Sequence, residues 1–306
     1  ENKLRKYVQK NISYEEMTKY FIGRTKTALY RKSKKLGLLH PYIHKKYSVD
    51  VNFFTIPNLT NSYITGNFAA DAYIRRRKTI MESYNYMWMV SSKDLCLLET
   101  VKNLIKFTGD IKHYKRKSPM SDKICNISYL SINCANEWAK NLKNNFGIIP
   151  NKTLRMLPPN LSQELSLAYI IGYIDGDGSI NITKKRNHRI NFTIYSSNLE
   201  ILNWIKCELD ILSNQLKWIN NNQNILKRKN QNVYMYCMSD IKAAIIIDYL
   251  RQFPVPKLDR KWSNPEILSK IEEYKQKYPQ YFLQKPIFNE IPPSHPQISS
   301  VTSLEC

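Results

Sequence analysis

Apolar residues between positions 165 and 174 follow a helical spacing and then stop abruptly. The spacing i, i+3, i+4 is kept by Leu165, Ala168, Ile171 and Gly172. Gly172 and Gly176 lie one turn apart, and glycine inside a helix costs about 1 kcal/mol relative to alanine. Small residues at this spacing allow a second helix to approach backbone to backbone, which offsets that cost. We therefore expect a helix with a close helical partner.

The segment that follows alternates between apolar and polar residues, which is the period of half-buried strands. The apolar positions are Ile180, Ile182, Ile190, Phe192 and Ile194, and the polar positions are Asn181, Thr183, Asn191 and Thr193. An earlier segment has the same alternation, with Ile74, Tyr86, Trp88 and Val90 facing inward and Arg75 and Arg77 facing outward. Both segments predict antiparallel hairpins with one polar face.

The helix and its hairpin occur twice in the chain. Residues 64–74 align with residues 170–180 at an offset of 106, which pairs Gly66 with Gly172, Ala70 with Gly176, and Asp71 with Asp177. Further along, the predicted offset is 104, pairing Val90, Leu95, Val101 and Lys102 with Ile194, Leu199, Ile205 and Lys206. Lys152 corresponds to Lys261, 109 residues later. Each repeat is predicted to run helix, hairpin, helix, hairpin, helix.

The sequence Asp-Gly-Asp-Gly at 175–178 has three interpretations. A calcium-binding loop counted from Asp175 fails, because position 6 is Ile180 and position 12 is Arg186 instead of glycine and glutamate. A simple helix stop is common, but it does not explain why the surroundings recur in the first repeat. A carboxylate at the negative end of a helix dipole is unfavourable unless a cation is present. The third interpretation, a divalent metal site, is the one we favour.

These two motifs make the chain similar to the LAGLIDADG homing endonucleases of the two-motif, single-chain type. The resemblance covers residues 55–275, and the second motif is nearly ideal. The first motif has Ala69 in place of the earlier acid and Ala72 in place of the final glycine, but it keeps the last acid, Asp71. The resemblance implies an α/β fold of two αββαββα repeats with pseudo-twofold symmetry and saddle-shaped antiparallel four-stranded sheets.

The resemblance also implies the chemistry. It predicts an endonuclease that makes a metal-dependent double-strand break at a long DNA site and promotes intron homing, with Mg²⁺ or another divalent cation such as Mn²⁺. Asp71 and Asp177 would bind the metal, helped by the backbone carbonyls of Ala70 and Gly176. Catalytic lysines that order a water would be Lys152 and Lys261, although a surface salt bridge is an open alternative for either. The five histidines lie away from both aspartates in the sequence, which argues against HNH-type or zinc chemistry.

A β-ribbon of this kind suits the major groove, where Arg, Asn and Thr can contact base edges. The predicted base contacts are Arg75, Arg77, Asn181, Thr183, Asn191 and Thr193. Phosphate contacts are predicted at Lys112, Lys115, Arg116 and Lys117 in the first repeat and at Lys227, Arg228 and Lys229 in the second. The alternative for each charged run is an ordinary solvated hairpin.

Residues 1–50 form a basic segment with 13 Lys and Arg against 4 Asp and Glu. A capping box at 13–16 predicts a helix to about Tyr20, and a second helix is predicted from Thr25 to Leu36, ended by Gly37. This arrangement predicts a helix-turn-helix-like region. Its inward residues would be Ala28, Leu29 and Leu36, and its DNA contacts Lys26 and Arg31 with Arg24, Thr27, Tyr30 and Lys34. A basic helix pair that only tethers the chain is the alternative.

Composition agrees with a nucleic-acid partner, since the net charge is +22 and the sequence pI is about 9.6. The predicted domains are 1–50, 55–155 and 160–280, with a tail at 285–306 that we expect to be disordered. No apolar run suits a membrane helix, no secretory signal is recognisable, and the six cysteines contain no CxxC pair. We expect a soluble, intracellular monomer. Its composition, together with the resemblance, favours a mitochondrial or other organellar location. The first residue is Glu1, as expected of a fragment or a processed product.

The sequence is also compatible with two other functions. The first is an RNA-binding splicing cofactor of the maturase type on the same fold, with its own intron RNA as the partner. The second is a transcription regulator built on an inactive copy of the fold. Retention of both Asp71 and Asp177 favours the enzyme, because a protein that only binds RNA has no need for paired acids at the ends of two helices.

Overall fold

The computed structural model describes residues 1–10, 12–38, 47–77, 83–91, 94–117, 123–133, 135–183, 188–218, 224–229 and 231–282. The chain divides into two compact units, Glu1–Ser48 and the segment that begins at Val49. The tail predicted to be disordered at 285–306 lies outside the described residues, as do most residues of the predicted turn at 184–189. No helix in the described ranges has the length and apolar character needed to span a membrane.

The N-terminal unit is a small helical cluster. It contains α1 (Asn2–Gln9), α2 (Tyr14–Met17) and α3 (Lys26–Lys35). The sequence pattern did not predict α1, and α2 ends at Met17 because the next turn closes with i→i−3 hydrogen bonds, starting with Thr18 N to Glu15 O at 3.2 Å. α3 matches its predicted position, with Thr25 as the N-cap whose side chain accepts from the Ala28 N–H.

The second unit contains both predicted repeats. The elements of the first repeat are α4 (Leu59–Asp71), β1 (Ala72–Arg77), β2 (Ser83–Ser91), α5 (Leu95–Leu104), β3 (Lys112–Lys117), β4 (Ile124–Ile132) and α6 (Glu137–Phe146). Those of the second are α7 (Gln163–Asp177), β5 (Gly178–Thr183), β6 (Arg189–Ser196), α8 (Leu199–Gln215), β7 (Leu226–Lys227), β8 (Tyr234–Ser239) and α9 (Asp240–Arg251). Two further helices, α10 (Asp259–Trp262) and α11 (Pro265–Lys277), follow.

The two sheets have the same topology. Their strand orders are β1-β2-β4-β3 and β5-β6-β8-β7, and every pair of neighbouring strands is antiparallel. This confirms the predicted fold class: an α/β protein with two αββαββα repeats and two four-stranded antiparallel sheets.

Strand register corrects one part of the predicted alignment. Ala72 pairs with Trp88 in the first hairpin, and Gly178 pairs with Ile194 in the second, so the offset is still 106 in β2 and β6. The predicted equivalence of Val90 and Ile194 at an offset of 104 was therefore wrong by two residues. Between this hairpin and α5 the offset falls to 104, because the first repeat has two extra residues there before Leu95.

Helices α4 and α7 are buried along most of their length. Residues 61–69 of α4 and 166–175 of α7 are buried without interruption, so neither helix has a solvent-facing stripe along that stretch. A helix that is enclosed on all sides belongs to the centre of a core. At their C-terminal ends, where the chain enters the first strand of each sheet, Asp71 is half-buried and Asp177 is exposed.

Candidate active site

The backbones of α4 and α7 touch at two glycines. A Cβ atom added to Gly66 would lie 1.8 Å from the Tyr169 carbonyl oxygen, and one added to Gly172 would lie 1.9 Å from the Tyr63 carbonyl oxygen. The two contacts are reciprocal, because Tyr63 and Tyr169 are also related by the offset of 106. Only glycine leaves room for this approach. The pair of contacts defines the helix crossing.

One turn beyond the crossing, the two helices stay close at Ala70 and Gly176. A Cβ atom at Gly176 would lie 2.3 Å from the Cβ of Ala70 and 3.0 Å from Oδ2 of Asp71. The four residues predicted at the helix interface therefore line one continuous contact. Asp71 is the last residue of α4 and its carboxylate reaches across to the end of α7.

Asp71 and Asp177 carry interacting charges at these two helix ends. Burial and, after it, the negative charge of Asp177 together raise the pKa of Asp71 to about 6, against the lowering effect of Lys261 and Lys152. The pKa of Asp177 is also raised by burial. The residue reaches the solvent, but the protein atoms around its carboxylate still disfavour the ionised form. Two carboxylates with raised pKa values are poised to accept a cation, which would stabilise both ionised forms.

Lys152 caps the C-terminal end of α4. Its side chain is 6 % exposed, and Nζ donates to the Ala69 carbonyl and lies 3.4 Å from the Ala70 carbonyl oxygen. Burial lowers the pKa of Lys152 to about 8, while Asp177 and Asp71 raise it. Carbonyls at a helix end have no partner within the helix, and a cation at that end also interacts well with the helix dipole.

Lys261 occupies the same position at the end of α7. Its Nζ donates to the carbonyls of Asp175 at 2.7 Å, Ile174 at 2.8 Å and Gly178 at 2.8 Å, and lies 3.3 Å from that of Gly176. It too is 6 % exposed, and burial lowers its pKa. The surface salt bridge considered for the two lysines was therefore wrong. Each lysine is buried against the helix end that carries an aspartate.

Asp175 has a different role from the one its sequence position indicated. A helix stop was one interpretation of the sequence that begins at Asp175, but α7 continues to Asp177 and the Asp175 side chain is buried, with 2 % exposure. Its carboxylate accepts hydrogen bonds from Tyr63 Oη at 2.7 Å, Trp262 Nε1 at 2.7 Å and the Leu258 N–H at 3.1 Å. Burial raises its pKa to about 6, against the lowering effect of these donors and of a nearby lysine.

This carboxylate joins α4, α7 and the segment that carries Lys261. The first repeat has no counterpart, because Ala69 occupies the equivalent position. The sequence did hold a hint, since Tyr63 directly precedes the first motif and Trp262 directly follows the lysine, and buried aromatic residues with polar tips need hydrogen-bond partners. Without long-range contacts, however, nothing paired them with Asp175.

We expect Asp175→Asn to lower the free energy of unfolding by about 1–3 kcal/mol, because an amide presents N–H groups to donors that need an acceptor. Urea denaturation followed by circular dichroism measures this. Asp110→Asn is the matched control, since Asp110 is exposed and the same change there removes no buried acceptor. Equal midpoints for the two variants would contradict the structural role assigned to Asp175.

The two lysines are expected to differ in the same measurement. Lys261 contacts four carbonyl oxygens and Lys152 contacts two. Because a hydrogen bond with a charged donor contributes about 1.5–3 kcal/mol, Lys261→Met should be the more destabilising substitution by at least ~1 kcal/mol. Unfolding curves for Lys261→Met and Lys152→Met, recorded side by side, test this. A larger loss in Lys152→Met would show that the count of capped carbonyls does not set the difference.

Comparison with known proteins agrees with this geometry. Residues 170–258 match the family model described as LAGLIDADG endonuclease. This segment is therefore similar to a LAGLIDADG endonuclease domain. Members of the family are DNA endonucleases and generally depend on divalent metal ions. The matched range contains Asp177 but ends before Lys261 and does not include the first repeat. No curated protein matches the chain.

Solved structures of several LAGLIDADG proteins are similar to the chain. The meganuclease I-AabMI bound to uncleaved DNA is 15 % identical, with a TM-score of 0.46 over 72 % of this chain and 92 % of that one. I-SmaMI bound to an uncleaved DNA target in the presence of calcium ions is 15 % identical, with a TM-score of 0.40 over 72 % and 99 %. The homing endonuclease I-LtrWI bound to target DNA is 16 % identical, with a TM-score of 0.39 over 74 % and 98 %.

The residues at these two helix ends offer few ligands of their own to a metal. Within the described ranges no group of three His, Cys, Asp or Glu side chains comes together. Two carboxylates and backbone carbonyls remain, and oxygen ligands of this kind suit Mg²⁺, which keeps several waters and binds substrate phosphates. The donor set therefore fits a hard divalent cation whose coordination is completed by water and DNA. Among the carbonyls that the two lysines contact, those of Ala70 and Gly176 lie farthest from the lysine nitrogens. Ala70 O is 3.4 Å from Lys152 Nζ, and Gly176 O is 3.3 Å from Lys261 Nζ.

Sheet register places the predicted DNA-contacting side chains of the second repeat. Directly paired residues share a face of a sheet, and Asn181 pairs with Asn191 while Thr183 pairs with Arg189. Asn181 is exposed, whereas Asn191 and Thr183 are half-buried. Thr193 departs from the prediction. It is 8 % exposed and its hydroxyl donates to Cys237 Sγ at 3.4 Å, so neighbouring side chains cover it.

In the first repeat, register divides the predicted contacts between two faces. Arg75 is exposed on β1, and following the pairs across β2 and β4 puts Lys112 and Arg116 on the same face. Lys115 and Lys117 belong to the opposite face, although all four cations of β3 are exposed. The side chain of Arg77 lies outside the described residues. Because the side chains of a strand point alternately to the two faces of the sheet, these four cations cannot all contact the same DNA surface.

The basic run of the second repeat is also exposed and is held against aromatic rings. Lys227 Nζ lies 5.8 Å from the ring centroid of Tyr234, and the Arg228 guanidinium lies 5.6 Å from that of Tyr195. Lys229 is exposed. Cation–π contacts of this kind hold long side chains in place while leaving their charge at the surface.

Proposed function

We propose that this chain is a site-specific DNA endonuclease that makes a Mg²⁺-dependent double-strand break and promotes intron homing. The observation that supports this most is the placement of Asp71 and Asp177 at the ends of two helices whose backbones touch, each beside a buried lysine. One such unit in each repeat provides one cleavage centre for each DNA strand.

The chemistry divides between the cation and the protein. A divalent ion at this site would neutralise charge on the reacting phosphate, lower the pKa of a bound water and stabilise the leaving oxygen. Asp71 and Asp177 hold their carboxylates at the helix ends for that ion. Lys152 and Lys261 keep positive charge near the same place and fix the carbonyls around it. The polar strand faces would then position the DNA across both centres.

Catalysis in this proposal needs no protein histidine as a base. In the described ranges the ionisable neighbours of Asp71 are Asp177, Lys261, Lys152 and Asp94. A water ordered near the lysines is the remaining candidate for the attacking group. Burial lowers the pKa of Lys152 to about 8, which suits it to exchange a proton near neutral pH.

The direct test is cleavage of a plasmid library that carries long random targets. Purified protein is incubated with the library in Mg²⁺, in Mn²⁺, in Ca²⁺ and in EDTA, and linear products are sequenced. We expect discrete cuts at one site in Mg²⁺ or Mn²⁺ and none in EDTA. Absence of any discrete product under all of these conditions would remove the enzyme proposal. Finding the reading frame inside an intron would support the homing role.

The relative affinities for RNA and DNA distinguish an endonuclease from an RNA-binding splicing cofactor. Binding of the protein to its intron RNA and to duplex DNA is compared at the same salt concentration, because charge-driven binding depends steeply on salt. The proposal requires the tighter complex to form with duplex DNA that contains the selected site. Tighter binding to the intron RNA, without DNA cleavage, would favour the splicing cofactor.

A further inference from the structure

The N-terminal unit has an enclosed hydrophobic core, which a basic tether does not require. Leu4, Val8, Met17 and Leu29 form a buried core, and half-buried apolar residues close it: Tyr7, Ile12, Tyr14, Phe21, Leu36 and Leu38. Both α2 and α3 start with a side-chain cap, from Ser13 and Thr25. A segment that only links two parts of a chain gains nothing from an enclosed core. This one holds α3 in a defined orientation.

α3 has one buried face and one exposed face. Leu29 and Ser33 are buried and Leu36 is half-buried, which gives the inward spacing i, i+4, i+7. The residues at the opposite spacing are exposed and consist of Thr27, Tyr30, Arg31 and Lys34. We name these four residues the outer face of α3. It combines two cations, an aromatic ring and a hydroxyl on about 10 Å of helix.

Ion pairs in this unit occupy the flanks of α3 and leave its outer face open. Lys26 pairs with Glu15 at 3.0 Å, and Lys32 pairs with Glu1. Among the described residues no ion pair engages Arg31 or Lys34. The predicted contact at Lys26 is therefore partly neutralised, whereas Arg31 and Lys34 have no such ion-pair partner in the described part of the chain.

We propose that the outer face of α3 is a second DNA-binding surface, which inserts into the major groove of duplex DNA outside the sequence covered by the catalytic unit. Residues 1–48 carry 13 Lys and Arg against 3 Glu, so a polyanion is the complementary partner. Duplex DNA fits better than duplex RNA, because an α-helix enters the wide major groove of B-form DNA but not the deep, narrow one of A-form RNA. The proposal concerns binding and is independent of whether the catalytic unit cuts.

The test is the DNA affinity of the full chain carrying Arg31→Glu and Lys34→Glu together. Affinity for a 40-base-pair duplex is measured without metal across a salt series by fluorescence anisotropy. We expect a loss of roughly 10- to 100-fold at low salt. The salt dependence should also fall by about two units of slope, since each lost phosphate contact removes about 0.9.

The control is Lys140→Glu with Lys143→Glu, which makes the same change in net charge at two exposed positions on α6. Arg31→Gln with Lys34→Gln is a second variant that avoids new repulsion, and thermal melting checks that its fold is intact. An equal loss in the control would overturn the proposal, because general charge would then explain it. Unchanged DNA affinity, or a loss confined to a duplex RNA of the same sequence, would also overturn it. Cleavage by the unmodified chain is scored separately, so the two proposals succeed or fail independently.

Discussion

Asp177→Asn and Asp71→Asn are each expected to lose double-strand cleavage, with a fall in rate of about a hundredfold or more. The reason is that an amide keeps the shape of the side chain but removes the charge that holds a divalent cation, and a bound cation contributes several kcal/mol of transition-state stabilisation. Supercoiled plasmid bearing the selected site measures this, because nicked and linear products separate on a gel. DNA binding should survive in both variants, since the lost charge would otherwise repel phosphate.

The two acids need separate tests because their motifs differ. The second motif is nearly ideal, whereas the first keeps only its last acid. Asp110→Asn is the matched control and should cut normally, because Asp110 is exposed in the connection between α5 and β3. A gel-shift titration run in parallel separates weak binding from weak chemistry. Full cleavage activity in Asp71→Asn would show that the first motif is a structural relic and that the model of one centre per strand is wrong.

The central pair of aspartates could be predicted from sequence because duplication repeats the pattern. Asp71 sits in a motif too degenerate to recognise alone, and only its alignment with Asp177 at a fixed offset revealed it. The close helix contact was predictable for a similar reason, since glycines one turn apart have a steric meaning. Features of this kind depend on local spacing, which the sequence states directly.

The role of Asp175 could not be predicted because its partners are distant in the chain. Tyr63 lies 112 residues away and Trp262 lies 87 residues away. The burial of Thr193 and the offset of β2 were missed for a related reason. Both depend on which strands pair and on the register of the pairing. A two-residue insertion changes that register without disturbing the alternation of apolar and polar residues. Sequence alternation gives the face of a residue but not what covers it.

The firmest expectation about stability concerns the helix crossing. In an isolated helix, Gly→Ala stabilises by about 1 kcal/mol. At Gly172 and Gly66 the sign should reverse, because the added Cβ would lie 1.9 Å from the Tyr63 carbonyl oxygen or 1.8 Å from that of Tyr169. These are backbone atoms that cannot rotate away, so the helices must separate. We expect each substitution to lower the free energy of unfolding by ~3 kcal/mol or more, at the upper end of overpacking effects.

Separation of the helices should also reduce cleavage, because Asp71 and Asp177 depend on the same contact for their proximity. Urea midpoints for Gly66→Ala, Gly172→Ala and the unmodified chain measure the first effect, and plasmid cleavage below the unfolding transition measures the second. Thr60→Ala, a half-buried position on α4, is the control for a change of residue in the same helix. A higher midpoint in Gly172→Ala, as in an isolated helix, would show that the backbones are not in contact there. Reduced stability with unchanged cleavage would show that the two aspartates tolerate a wider spacing than a shared site requires.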